Sequence, residues 1–172
     1  MGDPTRSSST YAQLYGLFKI FGPEGVKKLA ANVINTKSTS SVYKGVSAGE
    51  YPVGITMEYS AFQYLDGGQK EIKLVYPTEG TFLSPEGLSI VKGAKHLANA
   101  KKVFDVLASA EFQKKLFKKS YRRPAHPGVD VNAMFGLPKM DDIKIIHFDQ
   151  LQAAADRPGI LKQWKKIIKE VR

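Results

Sequence analysis

Tyr11, Leu14, Tyr15 and Phe18 recur at the spacing of one helical face, and the hydroxyl run Ser7-Ser8-Ser9-Thr10 ahead of them supplies N-cap candidates. Gly22-Pro23 closes that helix and opens another, because glycine suits the left-handed position after a helix and proline tolerates a first helical turn. Val26, Leu29, Ala30 and Val33 give the second helix its buried stripe. The polar run Asn35 to Ser41 reads as a loop into a short helix, Val42 to Ala48, ended by Gly49-Glu50. Val53-Gly54-Ile55-Thr56-Met57 then reads as a buried strand, followed by a helix from Ser60 to Leu65 and a turn at Asp66-Gly67-Gly68. Glu71 to Tyr76 alternates as a second strand. Helix-strand-helix-strand order predicts an α/β protein with a mixed, mostly parallel sheet covered by helices.

After Pro77 the character changes. Gly87 to Val91 is a plausible strand, and Leu97 to Ala108 a helix with Ala100, Val103, Phe104 and Leu107 on one face. Ser109 is placed to cap a further helix, Ala110 to Lys119. Residues 120–142, with Pro124, Pro127 and Pro138, read as an irregular excursion. Ile143 to Phe148 is a short strand, and Ile160, Leu161, Trp164, Ile167, Ile168 and Val171 form a final amphipathic helix.

Composition narrows the chemistry. With 172 residues the chain holds one ordinary domain or two small lobes. Cysteine is absent, which removes disulfides, thiolate metal sites and a cysteine nucleophile together. His96, His126 and His147 stand far apart, so no pair has metal-ligand spacing. No apolar run approaches the roughly 18–20 residues that span a bilayer. The opening Met1-Gly2-Asp3-Pro4 lacks the basic and apolar regions of a secretory signal, leaving a cytosolic chain or a mature or excised piece of a secreted one. Lys and Arg outnumber the acids 26 to 16, a net charge of +10 that favours an anionic partner.

Three constellations bear on that partner. Ser7, Ser8, Ser9 and Thr10 open a helix, where unpaired amides and flanking hydroxyls make a ready anion site; the plain alternative is that one serine caps the helix. A second hydroxyl cluster, Lys37-Ser38-Thr39-Ser40-Ser41, also opens a helix, and two such mouths in one lobe would close on a single anion. Glu58 and Tyr59 follow a buried strand, the end at which α/β sheets bind ligands; there Glu58 would accept from a sugar hydroxyl and Tyr59 offer a phenol to a ligand or metal. From Lys92 to Arg123 ten basic residues face only Asp105 and Glu111, which would also suit a nucleic acid. Most of these lysines lie opposite apolar helical stripes, however, as on a solvated face, so no nucleic-acid partner is expected. No nucleophile elbow, phosphate loop or nucleophile–base pair occurs, so no catalytic residue is expected.

The order of motifs resembles a known family. Asp3-Pro4-Thr5 to Thr10 opens a helix, and Gly49-Glu50 to Gly54-Ile55 follows. Next come Tyr76-Pro77-Thr78-Glu79-Gly80-Thr81, Val91-Lys92-Gly93-Ala94, Ala100-Lys101-Lys102-Val103-Phe104 and Leu107-Ala108-Ser109-Ala110-Glu111-Phe112-Gln113. With the closing stretch Leu161 to Ile168, this resembles the C-terminal portion of extracellular solute-binding proteins of ABC importers, in the ferric-iron-binding-like group.

That resemblance implies a type II periplasmic-binding-protein-like fold, two α/β lobes around a ligand cleft. Residues 1–77 would form most of the second lobe, 78–92 the crossover or hinge, and 93–172 the helices and strand returning to the first lobe. The N-terminal segment of the first lobe would be absent, and a complementary chain or a second copy would complete the fold. The resemblance implies a non-enzymatic binding component, periplasmic or extracellular, that serves a membrane permease. In the iron binders a helix-mouth serine region holds a synergistic anion, commonly phosphate; Ser7 to Ser9 match it, and Thr39-Ser40 match a second contact. Their ferric iron is gripped by two adjacent tyrosines, matched here by Tyr59 and Ser60, so the second phenol is missing. A phosphate-bearing organic anion is therefore expected, with no cofactor; the alternatives are ferric iron on Tyr59 with a synergistic anion and a nucleic-acid or protein interaction module that uses the basic surface.

Overall fold

A computed structural model describes residues 1–172. In chain order the elements are α1 (Ser8–Asn32), α2 (Thr39–Ser47), α3 (Glu58–Asp66), β1 (Thr81–Phe82), α4 (Leu97–Ala108), α5 (Ala110–Ser120), α6 (Val131–Phe135), a 3-10 turn (Met140–Asp142), β2 (Ile145–Ile146) and α7 (Gln150–Val171). They fall into two compact units. One joins Met1–Ser84 to Lys144–Arg172; the other is the continuous stretch Pro85–Ile143.

The discontinuous unit is built on α1 and α7. Ser7 caps α1 by accepting a hydrogen bond from the Thr10 amide at 3.2 Å. The helix bends at Gly22, whose φ of 63° and ψ of −176° are non-helical, immediately before Pro23. The Gly-Pro step thus breaks the helix where the sequence places the break, although both halves count as one element. Leu14, Val26 and Ala30 pack with Trp164, Ile167 and Met1 in the main buried cluster. Tyr11, Tyr15 and Ala153 form a second, where the Tyr11 hydroxyl donates to the Ala153 carbonyl at 2.5 Å and the Tyr15 hydroxyl to Asp156 at 3.1 Å. Further along, Lys27 pairs with Glu170 at 2.8 Å. Partner numbers rise together, so α1 and α7 run side by side in the same direction. Asp149 caps α7 through the Leu151 and Gln152 amides, which starts this helix ten residues before the first apolar position of its stripe.

Strand pairing is parallel throughout but short. β1 pairs with β2, Thr81 beside Ile145 and Phe82 beside Ile146, and an isolated parallel bridge joins Gly2 to Thr36. The predicted helix-covered sheet is therefore corrected to a helix-rich α/β unit with two-residue strands. Val53–Met57 and Glu71–Tyr76 join no ladder and form no strands, because a strand exists only where a neighbour takes its amides and carbonyls. Both neighbouring helices start earlier than predicted, α2 at Thr39 and α3 at Glu58.

In the continuous unit, α4 and α5 appear as the pattern predicts, with Ser109 accepting from the Phe112 amide. Three expectations fail. The supposed core face of α4 has no buried residue, and Val103 is 56% exposed. The excursion at 120–142 is not wholly irregular: Asp130 caps α6, and Gly136, with φ of 66°, ends it. Gly87 to Val91 forms no strand; it is largely exposed, with nothing to pair against. Phe117 is fully buried against the Phe135 ring.

Candidate functional site

Two short chain segments bring two helix mouths together. The Met1 amine donates to the Ile34 carbonyl at 2.9 Å, the Thr36 amide to the Met1 carbonyl at 3.0 Å, and the Asp3 amide to the Thr36 carbonyl at 3.1 Å. Because the pairing is parallel, both segments end on the same side, and each leads within a few residues into a helix: α1 after Ser7, α2 after Ser38. The carboxyl side of parallel strands is where α/β folds gather ligands. The first turns of both helices lie beside Gly2 there, and a helix N-terminus carries free amides and a positive dipole end.

Gly2 sits between the mouths. A Cβ at this position would stand 2.6 Å from Thr10 Oγ1, 3.3 Å from Thr39 Cγ2 and 3.4 Å from the Thr39 amide nitrogen. Any larger residue would wedge them apart. Thr10 is fully buried, and its hydroxyl has no hydrogen-bond partner. An orphaned buried hydroxyl costs about 1–3 kcal/mol, so it marks a place where a partner belongs.

The predicted ligand residues divide accordingly. Thr10 and Thr39 meet around Gly2. Ser7 is engaged as the cap of α1, while Ser8 is exposed and Ser9 half-buried in its first turn. Ser40 is half-buried in the first turn of α2, its Oγ 2.9 Å from that of Ser38, the residue that caps the helix through the Ser41 amide. Asp3 would oppose an anion, but it accepts from both the amide and the hydroxyl of Thr5, and Arg6 lies 3.9 Å from its other oxygen.

Glu58 and Tyr59 open α3, a third mouth in the same unit. The Tyr76 hydroxyl donates to Glu58 at 2.6 Å. Gln13, one turn beyond Thr10 on α1, reaches this mouth with its amide nitrogen 3.8 Å from Met57 Sδ. Gln13, Thr56, Glu58 and Tyr76 share the wall of a cavity of about 1200 Å³ with apolar residues such as Leu17 and Phe82. Gln13 Oε1 and Thr56 Oγ1 are buried there without partners, and Asn35 Oδ1 is likewise orphaned in the paired segment. Sequence reading missed Gly2, Gln13, Asn35 and Thr56. Gln13 did carry a signal, a polar residue three positions after Thr10 within an apolar stripe.

Comparison with known proteins identifies the family. The family described as bacterial extracellular solute-binding protein matches residues 1–153. An uncharacterized protein of Haemophilus influenzae is 25% identical over 177 residues, an alignment covering 98% of this chain and 51% of the relative. The chain thus spans about half the length of the curated relative it matches. No solved structure matches it.

Proposed function

The chain belongs to the bacterial extracellular solute-binding proteins, and from that premise we propose that it binds a phosphate-bearing organic anion for an ABC importer, at the joined mouths of α1 and α2. The observation that carries this reading is the meeting of Thr10 and Thr39 around Gly2, with the Thr10 hydroxyl buried and unpartnered. An anion there takes hydrogen bonds from amides of both helices, in a field set by two dipole ends. Ser8, Ser9 and Ser40 supply further donors from the first turns. Glu58 and Tyr59, at the third mouth, hold the organic body, the carboxylate accepting from its hydroxyls. Bare ferric iron fits less well, since Ser60, which follows Tyr59, is buried and offers no phenol. The role is binding without catalysis, in the periplasm or outside the cell. No helix is long and apolar enough to cross a membrane. Transport is assigned to a membrane permease, the usual partner of a solute-binding protein.

Isothermal titration calorimetry with inorganic phosphate and glycerol 3-phosphate tests the assignment. Gly2→Ala fills the space between the mouths, and Ser8→Ala with Thr39→Ala removes two donors. Each is expected to weaken binding about tenfold or more, the loss of one to two charge-assisted hydrogen bonds. Lys118→Ala, on exposed α5, is the control for general electrostatics. Equal affinity in the site variants and the control would remove the mouths from the mechanism.

A further inference from the structure

The large cavity beside α3 lies wholly within the discontinuous unit, and its wall is rich in groups that attract positive charge. Gln13, only 9% exposed, lines it with its amide nitrogen turned to Met57 Sδ, which leaves Oε1 buried and without a partner. Thr56 Oγ1, buried in the same wall, is also unpartnered. Three carboxylates, Glu58, Glu71 and Glu79, line the cavity against one cation, Lys73, in a chain whose net charge is +10. Glu71 and Glu79 are exposed and form no ion pair within the chain. Six lining residues are aromatic, and the rings of Tyr43 and Tyr64 stand 5.9 Å apart, tilted by 51°. The face of an aromatic ring is electron-rich and attracts a cation. Ser47 and Gln69, also in the wall, tie their polar side chains to each other, so the Gln69 amide is no free donor.

This wall selects among ligand classes. An anion would meet three carboxylates and an acceptor oxygen with only Lys73 in its favour. A hydrated metal ion gains nothing from Leu17, Ile20 and Leu74, and no group of three acidic or histidine side chains is close enough to hold one. A neutral apolar molecule would fill the space but leave Gln13 Oε1 buried and unpaired, which is costly. An organic cation that carries N–H donors meets every requirement. Its N–H bonds to Gln13 Oε1, its charge is held by the carboxylates and ring faces, and its carbon body lies on the apolar wall. We infer that this cavity is a site for a protonated amine with an apolar body. The inference names the organic body assigned to the third helix mouth, and rests on that reading only in placing a ligand beside Glu58; it requires no phosphate.

Calorimetric titration with three probes that share one body and differ in charge tests the site: phenethylammonium, 2-phenylethanol and 3-phenylpropionate, in phosphate-free buffer of fixed ionic strength. The expected order is ammonium first, the alcohol about tenfold weaker or more, and the carboxylate last. Gln13→Met keeps the volume and removes the orphaned acceptor, and should weaken the ammonium about tenfold. Glu71→Gln, an exposed change that leaves the fold intact by circular dichroism, should weaken it several-fold and leave the alcohol unchanged. Equal affinity for the three probes would make the cavity merely apolar and overturn the inference. So would preference for the carboxylate, absence of ammonium binding, or ammonium binding indifferent to both variants. Titration with inorganic phosphate reports separately on the mouths of α1 and α2, so either reading can fail alone.

Discussion

Tyr11 shows how far one side chain is fixed by its surroundings. Burial pushes its phenol up to about 12 from an ordinary 10.0, helped by Tyr15 and Asp156 and opposed by Arg157. The folded value lies above the unfolded one, so the unfolded chain loses this proton first. The stabilisation is therefore complete below pH 10 and drains away between about pH 10 and 12, roughly tenfold in the folding equilibrium per pH unit. Tyr11→Phe should cost about 1 kcal/mol at neutral pH through the lost bond to Ala153, yet overtake the natural protein in alkali. Paired denaturant titrations across that range check the crossing. The sequence marked Tyr11 as an inward-facing helical residue and Ser7 to Thr10 as a helix mouth, because those follow from spacing and side-chain type alone. It did not reveal the Ala153 partner or the wedge position at Gly2. Both depend on contacts between segments distant along the chain.

The elements were legible in proportion to how local their causes are. Ser109 caps α5, Gly22-Pro23 bends α1, and the boundaries of α4 match its pattern, since caps and breaks act within one turn. Strands need a neighbour, and the two-residue pairing of β1 with β2 has no signature in either segment. Its geometry rests on Gly80, whose φ of 121° excludes other residues. An added Cβ there would lie 2.8 Å from the Ile146 side chain and 3.1 Å from the Lys144 carbonyl. Gly80→Ala should therefore destabilise the discontinuous unit by about 1–3 kcal/mol, read as a lower urea midpoint. The mouths of α1 and α2 would remain formed by the separate pairing of Met1 to Asp3 with Ile34 to Thr36. Phosphate affinity is thus expected to survive in this variant wherever it is folded.

At the scale of the molecule, Met1–Ser84 with Lys144–Arg172 and the inserted Pro85–Ile143 each have their own buried residues, so unfolding should not be a single event. Trp164 is the sole tryptophan and lies in the core between α1 and α7, so its fluorescence reports on the discontinuous unit alone. Thermal curves from fluorescence and from far-ultraviolet circular dichroism should diverge, and Trp164→Ala, at about 3–5 kcal/mol, should lower one transition only. Coincident curves would refute that independence. The change of character after Pro77 suggested a division of the chain at 77 and 92, whereas the compact units divide at Ser84 and Ile143, and the return of α7 to α1 was not visible. Parallel helices joined by a core with a sequence separation of some 140 residues leave no local trace. That return also sets an order in time. The helix that closes the core around Leu14 and Val26 is synthesised well after the segments it packs on, and at about 5–20 residues per second its end follows Ser84 by roughly 4–17 s. Throughout that interval the opening segments have no completed interior to settle into.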